Sequence, residues 1–468
     1  MGLIRIAPDL DFDAIRAEFE LTDQFPAAAL AQAQAPVDAH ADTRVDRTDL
    51  PFVTIDPPSS MDLDQAVHLA RTDTGFVLSY AIADLGAVIV PGSALDAEVR
   101  RRGQTFYLPD RSVPLHPRVL SEDAASLLPD RVRPAALWTI ETDEQAVPTS
   151  FSVTRSLVRS VARFDYAGVQ ADADRGALHP SIAALPDFGR LRVAAALDRG
   201  AIELRLPEQE VVAQDGRWRL DVHPRTEADD WNAQLSLLAG MCAAQAMLSA
   251  RVGVLRTMPW PDAEAVERMR RIAAALRLRW PASEGVGPWL AGLNANAPTT
   301  VAMMTEATRL LRGANYVAFD GSLPELTTHG ALAAPYAHVT APLRRLGDRF
   351  TTEVCLAVSA GEAVPDWVRA ALADLPAIMR VSDSLSGKVE RACIDLTEAT
   401  LLADRVGERF PAVVTRAPEK KRPAEVFVAS PPVLAKCAGE AREGQEIDAE
   451  LVVADPVART VEFTAPGR

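Results

Sequence analysis

Thr54-Ile55-Asp56-Pro57-Pro58-Ser59-Ser60-Met61-Asp62-Leu63-Asp64-Gln65-Ala66-Val67 sets three carboxylates in a proline-kinked loop between two apolar, strand-like runs. Asp62 and Asp64 are separated by one residue, so in extended backbone both side chains leave the same face. Pro57 and Pro58 forbid helix at this point and let Asp56 fold back toward the other two. Three hard oxygen donors brought together in this way suit Mg²⁺ or Mn²⁺, which favour carboxylate and water and bind substrate phosphates in the remaining positions. The chemistry this predicts is phosphoryl transfer. Taken alone, the same spacing also occurs in solvated turns and Asx caps.

The flanking sequence makes the reading specific. Phe52 to Asp64 is followed by Tyr80-Ala81-Ile82-Ala83-Asp84, Pro91-Gly92-Ser93-Ala94-Leu95-Asp96, Arg101-Arg102-Gly103-Gln104-Thr105-Phe106-Tyr107-Leu108-Pro109-Asp110 and Ala125-Ser126-Leu127-Leu128-Pro129. Much later come Tyr336-Ala337-His338-Val339-Thr340-Ala341-Pro342-Leu343-Arg344-Arg345-Leu346-Gly347-Asp348 and Glu390-Arg391. In this order and spacing the stretches resemble successive blocks of the RNB catalytic domain of ribonuclease II-type exoribonucleases, and the resemblance runs from Phe52 to about Thr400.

That resemblance implies a hydrolase that removes nucleotides from the 3′ end of RNA and releases nucleoside 5′-monophosphates, with two Mg²⁺ (or Mn²⁺) ions engaged during catalysis. By position Asp56, Asp62 and Asp64 match three of the family's four signature aspartates, and Asp64 is the one whose loss should damage chemistry most. The fourth position holds Gln65, which can offer a metal a neutral carbonyl but no second negative charge. Arg344 matches the arginine that clamps the scissile phosphate, a task suited to bidentate guanidinium donation. Arg345 is a second substrate-binding candidate and could equally pair with Asp348. Tyr107 matches the tyrosine that stacks on the terminal nucleotide, gripping any base without reading it. Glu390 matches an acid that helps hold the end nucleotide, although periodicity alone makes it a helix-surface charge. His338 reads as a structural hydrogen-bonder, and Asp84 as a residue supporting the aspartate loop from behind. Two departures stand out: Ala233 and Gln234 occupy the place of an acidic pair that opens a mid-domain helix, and Leu204-Arg205-Leu206 lacks an aromatic that relatives stack against RNA.

The 468 residues, 48% hydrophobic and 24% charged, are ample for a main core with small accessory domains. No run of about 18 uncharged apolar residues occurs, and Asp9, Asp11 and Asp13 follow the start where a signal peptide would be apolar. Cys242, Cys355, Cys393 and Cys437 form no C-x-x-C pair, which argues for buried thiols in a reducing compartment. A cytoplasmic monomer with no membrane partner is the expectation. The net charge of −15 does not exclude nucleic acid, because a single strand entering a channel needs only local positive charge. Local basic clusters exist at Arg100 to Arg102, Arg268 with Arg270 and Arg271, Arg344 with Arg345, and Lys420-Lys421-Arg422; apart from Arg344, each reads first as a solvated face.

Along the chain, residues 1–45 read as a small helical, even helix-turn-helix, N-terminal module. This is too short for the two cold-shock-type barrels that often precede the catalytic domain in the family, and a wider entrance admitting structured RNA would follow. Strand patterns at 66–69, 76–83, 87–90 and 136–140 alternate with turns, and helical periodicity dominates 187–197, 231–252, 263–278, 300–311 and 368–397. The fold class is therefore α+β, with residues 46–403 forming an RNB catalytic domain of mixed sheet surrounded by helices. Residues 404–468 carry short strands at 410–415, 426–429, 447–453 and 460–464, an S1-type OB β-barrel for single-stranded RNA, with Phe410, Phe427 and Phe463 as its few aromatics. Two rival readings are a catalytically decayed RNA-binding or regulatory protein on the same fold, motivated by Gln65, and a nuclease acting mainly on DNA.

Overall fold

β-branched and aromatic residues cluster in the runs that become strands, while the Ala- and Leu-rich stretches coil. The computed structural model describes residues 10–204, 208–214, 217–223, 225–294, 297–419 and 422–466. Helices α1 (Phe12–Glu18) and α2 (Ala27–Gln34) lead into a sheet of β1 (Val45–Asp46), β2 (Phe52–Ile55), β3 (Gln65–Thr72), β4 (Gly75–Ala83), β5 (Val132–Thr142) and β6 (Pro148–Phe164), with α3 (Ala94–Arg102) between β4 and β5. Next come α4 (Tyr166–Asp174), α5 (Leu185–Asp198), the hairpin β7 (Glu208–Gln214) and β8 (Arg217–His223), and the long α6 (Glu227–Ala250). A ribbon of β9 (Val252–Thr257) and β10 (Asn315–Asp320) brackets α7 (Ala263–Ala275), α8 (Val286–Ala291) and α9 (Pro298–Ala307). The short pair β11 (Thr328–His329) and β12 (Ala334–Pro335) precedes α10 (Leu346–Ala360), α11 (Asp366–Leu372) and α12 (Leu375–Leu402). β13 (Arg409–Arg416), β14 (Ala424–Ala429), β15 (Pro432–Ala438), β16 (Glu446–Asp455) and β17 (Thr460–Thr464) close into a barrel.

The main sheet has the order β1-β6-β2-β3-β4-β5, and it wraps back on itself. β6 is long enough to pair with β5 from Pro148 to Arg159 and then with β2 from Ser160 to Phe164. Closure buries Phe52, Leu69, Phe76, Leu78, Ile82 and Trp138 almost completely and leaves no free edge beside the aspartate loop. The α+β class and the C-terminal OB-type barrel expected from the sequence are present.

Several local readings change. Ala87–Val90 is a series of turns rather than a strand, with Val88 N–H and Ile89 N–H both donating to the Leu85 carbonyl. The periodicity over 368–397 belongs to two helices, because Pro376 sits in the first turn of α12, where a missing N–H costs nothing. The helix expected to reach 252 stops at Arg251, whose left-handed φ of 56° caps α6 and lets β9 begin. α1 packs on α12, whereas Ala29 and Ala33 of α2 join the main core beside α3, so both N-terminal helices rest on the body that carries the main sheet. In the barrel, Phe410 and Phe463 meet edge to face at 5.7 Å inside the core, which removes them as stacking platforms and leaves Phe427 only partly covered. Lys420, Lys421, Arg205 and Leu206 lie outside the described residues.

Among the described residues, α6 is the one helix long and apolar enough to cross a membrane by composition. Here it is a core helix, with Trp231, Leu235, Leu238, Ala239, Cys242 and Met247 buried against α5, α10 and β9. Gly240 gives it a close approach to the segment after β12. The Gly240 carbonyl accepts from Ala337 N–H at 3.1 Å, and a Cβ there would lie 2.3 Å from the Tyr336 ring and 2.6 Å from the Ala337 carbonyl. Gly240→Ala is therefore expected to cost about 1–3 kcal/mol by forcing that segment off the helix, read as a lowered urea midpoint at constant m-value; a wild-type midpoint would refute the close-packing argument.

Candidate active site

The aspartate loop is held by its ends and by its middle. Asp56 N–H donates to the Phe164 carbonyl at 3.0 Å and finishes the β2–β6 ladder. Pro57 and Pro58 cannot continue it, and Ser60 N–H closes a turn onto the Pro57 carbonyl at 3.0 Å. Arg163 clamps the same turn by donating to the carbonyls of Pro57 and Pro58. In the middle, Leu63 is buried and exchanges hydrogen bonds with the Ser126-Leu127 block: Leu63 N–H donates to Ser126 Oγ, and Leu127 N–H to the Leu63 carbonyl, both at 3.0 Å. With Leu63 pinned inward, its neighbours Asp62 and Asp64 are set by the two-residue alternation of extended backbone.

Asp64 is the meeting point. It is 3% exposed; Oδ1 accepts from Leu343 N–H at 2.7 Å, and Oδ2 lies 3.3 Å from Arg344 Nε. Burial pushes its carboxyl well above the usual carboxylate range, with Arg344 opposing and Asp62 reinforcing. Asp62 accepts from Ser60 Oγ at 2.9 Å and from the Tyr107 hydroxyl at 2.7 Å. Asp56 is pushed up to about 7 by burial; Asp62 adds to this, and Arg163 and Arg344 oppose it.

The Arg344 loop is bound from its other side by the chain after α3. Gly103, at φ 76°, ends α3 and turns the backbone so that Leu346 N–H donates to the Gly103 carbonyl and Thr105 N–H to the Arg344 carbonyl, each at 3.0 Å. Tyr107 follows two residues later, 52% exposed, its hydroxyl anchored on Asp62 and its ring free for a ligand. A cavity of about 730 Å³ opens beside this constellation, lined on one side by Pro57, Gln65, Thr340, Arg344 and Arg345 and on the other by Tyr166 and α6.

Asp56, Asp62, Asp64, Arg344 and Tyr107 are thus brought together as the sequence predicts. Gln65 is close by, but its amide is engaged: Nε2 donates to the Thr340 carbonyl at 2.6 Å and Oε1 accepts from the Tyr80 hydroxyl at 2.9 Å. Arg345 lines the cavity while its guanidinium is paired with Asp348 at 2.8 Å. Glu390 is exposed on α12 and does not line the cavity. Asp84 is tied to Arg44 and Arg155, not to the aspartate loop. His338 accepts or donates through Nδ1 to the Tyr316 hydroxyl at 2.9 Å, and burial holds its ring far below the usual histidine range, so it stays neutral.

Sequence reasoning missed the far wall. Arg225, Asp229, Asn232 and Ser236 from the start of α6 line the cavity together with Tyr166 and Tyr336. Asp229 lies one helical turn before Ala233, so acidity absent at 233 and 234 returns at 229, although that carboxylate accepts from Thr226 N–H and Oγ in a capping box. The Thr226–Asp229 capping pattern could have marked the helix start; nothing local marked its face.

The donor chemistry fits a hard divalent cation: burial, with Asp62 adding to it, favours the protonated forms of Asp56 and Asp64, and a bound cation would favour their carboxylates. The expected convergence into a ready ligand cage is not formed: among the described residues no three acidic, histidine or cysteine side chains stand at metal-holding spacing, because Asp62 and Asp64 are turned onto Tyr107, Leu343 and Arg344.

A closed mixed sheet bearing an aspartate loop against an arginine loop, followed by an OB barrel, defines the class. Residues 44–358 match the RNB domain and residues 408–465 the RNase II-type exonuclease C-terminal S1 domain. The chain belongs to the RNB-domain family. Ribonuclease R of Escherichia coli (strain K12) is 31% identical over 330 residues, which covers 67% of this chain and 40% of that protein. The chain spans 38–50% of the length of the first curated relatives it matches. Among solved structures, Mycoplasma genitalium RNase R has a TM-score of 0.86 at 20% identity, over 97% of this chain and 77% of that one, both in its apo form and in complex with ribose methylated single-stranded RNA. Yeast Ssd1, a pseudonuclease, has a TM-score of 0.73 at 17% identity, over 98% of this chain and 58% of that one.

The raised carboxyls make stability depend on pH and metal together. Asp56 holds its proton more tightly folded than unfolded, so its contribution to stability is full below about pH 4 and is lost as pH rises through about 7. A divalent ion favours the carboxylate and reverses that loss. The metal-induced rise in Tm, measured with Mn²⁺ against chelator, should therefore be larger at about pH 8 than at about pH 5, and Asp56→Asn should flatten the difference. A rise equal at both pH values would contradict this assignment.

Proposed function

We propose that the chain is a divalent-metal-dependent nuclease, using Mg²⁺, that hydrolyses single-stranded RNA from its 3′ end and releases nucleoside 5′-monophosphates. The observation that carries this reading is the buried Asp64 carboxylate, which accepts from Leu343 and contacts Arg344 at the edge of an open cavity. Aspartate loop and phosphate-seeking guanidinium are thereby fixed against each other before substrate arrives, as electrostatic preorganisation requires.

Each residue has a task in this scheme. Asp56, Asp62 and Asp64 would hold the cation, with Asp62 leaving the Tyr107 hydroxyl to do so. When bound, the ion supplies Lewis-acid charge and acidifies the attacking water. Arg344, with its side chain 42% exposed, keeps guanidinium N–H groups for the scissile phosphate and the charge that develops on it. Tyr107 packs its ring on the last base without reading it. Arg345 holds the start of α10 through Asp348 and presents positive charge to the cavity. Gln65 ties β3 to the Thr340 carbonyl, so that its service is to position the Arg344 loop, with any metal contact confined to its remaining carbonyl lone pair. Glu390, exposed on α12 and not lining the cavity, is given no contact with the end nucleotide in this scheme. The reading places the enzyme in the cytoplasm as a monomer; its four buried, unpaired thiols are compatible with a reducing compartment.

A decayed, RNA-binding role is the second reading, motivated by Gln65 at the position of the fourth aspartate, and the ribonuclease R relatives do not favour it. The deciding assay follows 5′-labelled single-stranded RNA and a matched DNA on denaturing gels with Mg²⁺. A ladder shortening from the 3′ end of RNA, faster than of DNA, with 5′-monophosphate product and abolition by EDTA, is the expected result. Asp64→Asn and Arg344→Ala should each slow release by about 10²–10³-fold. RNA that is bound but stays intact would establish the decayed alternative.

A further inference from the structure

A second recess, of about 150 Å³, lies where the helices bracketed by β9 and β10 meet the barrel. Its lining is Arg268 of α7, Arg309 and Arg312 just after α9, and Arg416, Glu419 and Arg422 at the turn between β13 and β14; α9 itself packs on β13. Five guanidinium groups around so small a space repel one another unless they are compensated. Compensation is partial. Glu306 takes Arg309 at 2.6 Å and Arg268 at 3.4 Å, and Glu425 takes Arg416 at 3.5 Å. Arg312 and Arg422 make no ion pair among the described residues, and Arg416 Nε is buried without a hydrogen-bond partner. Of the remaining acids, Glu419 shares the recess, and Glu443 stands near Arg309 with its carboxyl pushed upward by burial and by Glu306 and Glu419. Among the described residues, five cations thus face four carboxyl groups, one of which is inclined to keep its proton.

We propose that this recess binds a backbone phosphate of single-stranded RNA outside the catalytic cavity, with Arg312 and Arg422 as its donors. The volume holds about five waters at about 30 Å³ each, which suits a phosphodiester with part of its hydration. The turn between the first two strands is one of the two loops through which OB barrels take oligonucleotides. Here three arginines from the catalytic domain complete it from the opposite wall. The described residues that line the recess are all charged, with no aromatic among them, so it offers charge in place of stacking. The choice of RNA as the source of the phosphate rests on the nuclease reading above.

The test uses the full chain with Asp64→Asn, so that RNA survives, and 5′-labelled oligouridine of about 30 nucleotides, longer than one OB fold covers. Anisotropy is measured between about 50 and 200 mM salt. The Arg312→Glu, Arg422→Glu pair should weaken binding by about tenfold or more and flatten the slope of log K against log salt by about 1.4, two contacts at about 0.7 each. Arg312→Lys, Arg422→Lys should keep most of the slope, because charge is retained. With Asp64 intact, the glutamate pair should cleave an oligonucleotide of about five residues at the parental rate, which reports a folded catalytic domain. Parental affinity and slope in the glutamate pair would overturn the site. A parent chain that binds RNA without cleaving it would overturn the nuclease reading alone, since the slope is read from binding; a parent that binds neither RNA nor matched DNA would overturn both.

Discussion

The hydrogen bond from Leu343 N–H to Asp64 Oδ1 joins residues 279 positions apart, and the rest of the site depends on it. A buried carboxylate is costly unless its oxygens are satisfied. Asp64 is satisfied by one backbone N–H and one guanidinium, both delivered by a single turn after Ala341. The turn in turn is secured by Asp348, which accepts from Ala341 N–H at 2.7 Å, and by the Gly103–Thr105 backbone. One acid therefore decides where Arg344 stands relative to the aspartate loop, 3.3 Å from Asp64 Oδ2.

Sheet closure supplies the rigidity behind that contact. Because β6 pairs first with β5 and then with β2, the loop that follows β2 is fastened at its base to a ladder with no open edge, and Leu63 locks its centre. The outer part is more open to solvent: the Asp62 carboxylate shares a hydrogen bond with Tyr107, whose ring is about half exposed. Asp64 is thus buried and tied to the Arg344 loop, while Asp62 is held through the side chains of Ser60 and Tyr107. Gln65 belongs to the tied side. Its amide is spent on Tyr80 and Thr340, which adds a tie between the two loops.

The distribution of charge follows a similar division of labour. Overall the chain is acidic, yet among the described residues guanidinium groups line both the cavity beside the aspartate loop and the recess where the helical region meets the barrel. Elsewhere arginines are consumed by structure, as in the buried Arg349–Asp96 pair at 2.6 Å and the Arg155–Glu353 pair at 2.6 Å, where removing either partner would leave an uncompensated buried charge. Net charge is a poor guide to nucleic-acid binding when local fields are built in this way.

The sequence alone determined the α+β class, the C-terminal barrel and the crowding of three carboxylates into one loop, because those depend on local matters: proline against helix, two-residue alternation, strand and helix periodicity, and blocks whose order resembles a known family. It also placed Asp56, Asp62, Asp64, Arg344 and Tyr107 together, through the resemblance and not through any pattern in their separations. Tertiary structure decided the remainder. It engaged the Gln65 amide, kept Glu390 away from the cavity, moved the acidic group of the far wall to Asp229, and turned Phe410 and Phe463 inward. It also joined Arg268 to Arg422, two charges that read separately as solvated faces. In each of these cases the deciding quantity is which side chains meet after distant segments pack, and no local periodicity encodes that meeting.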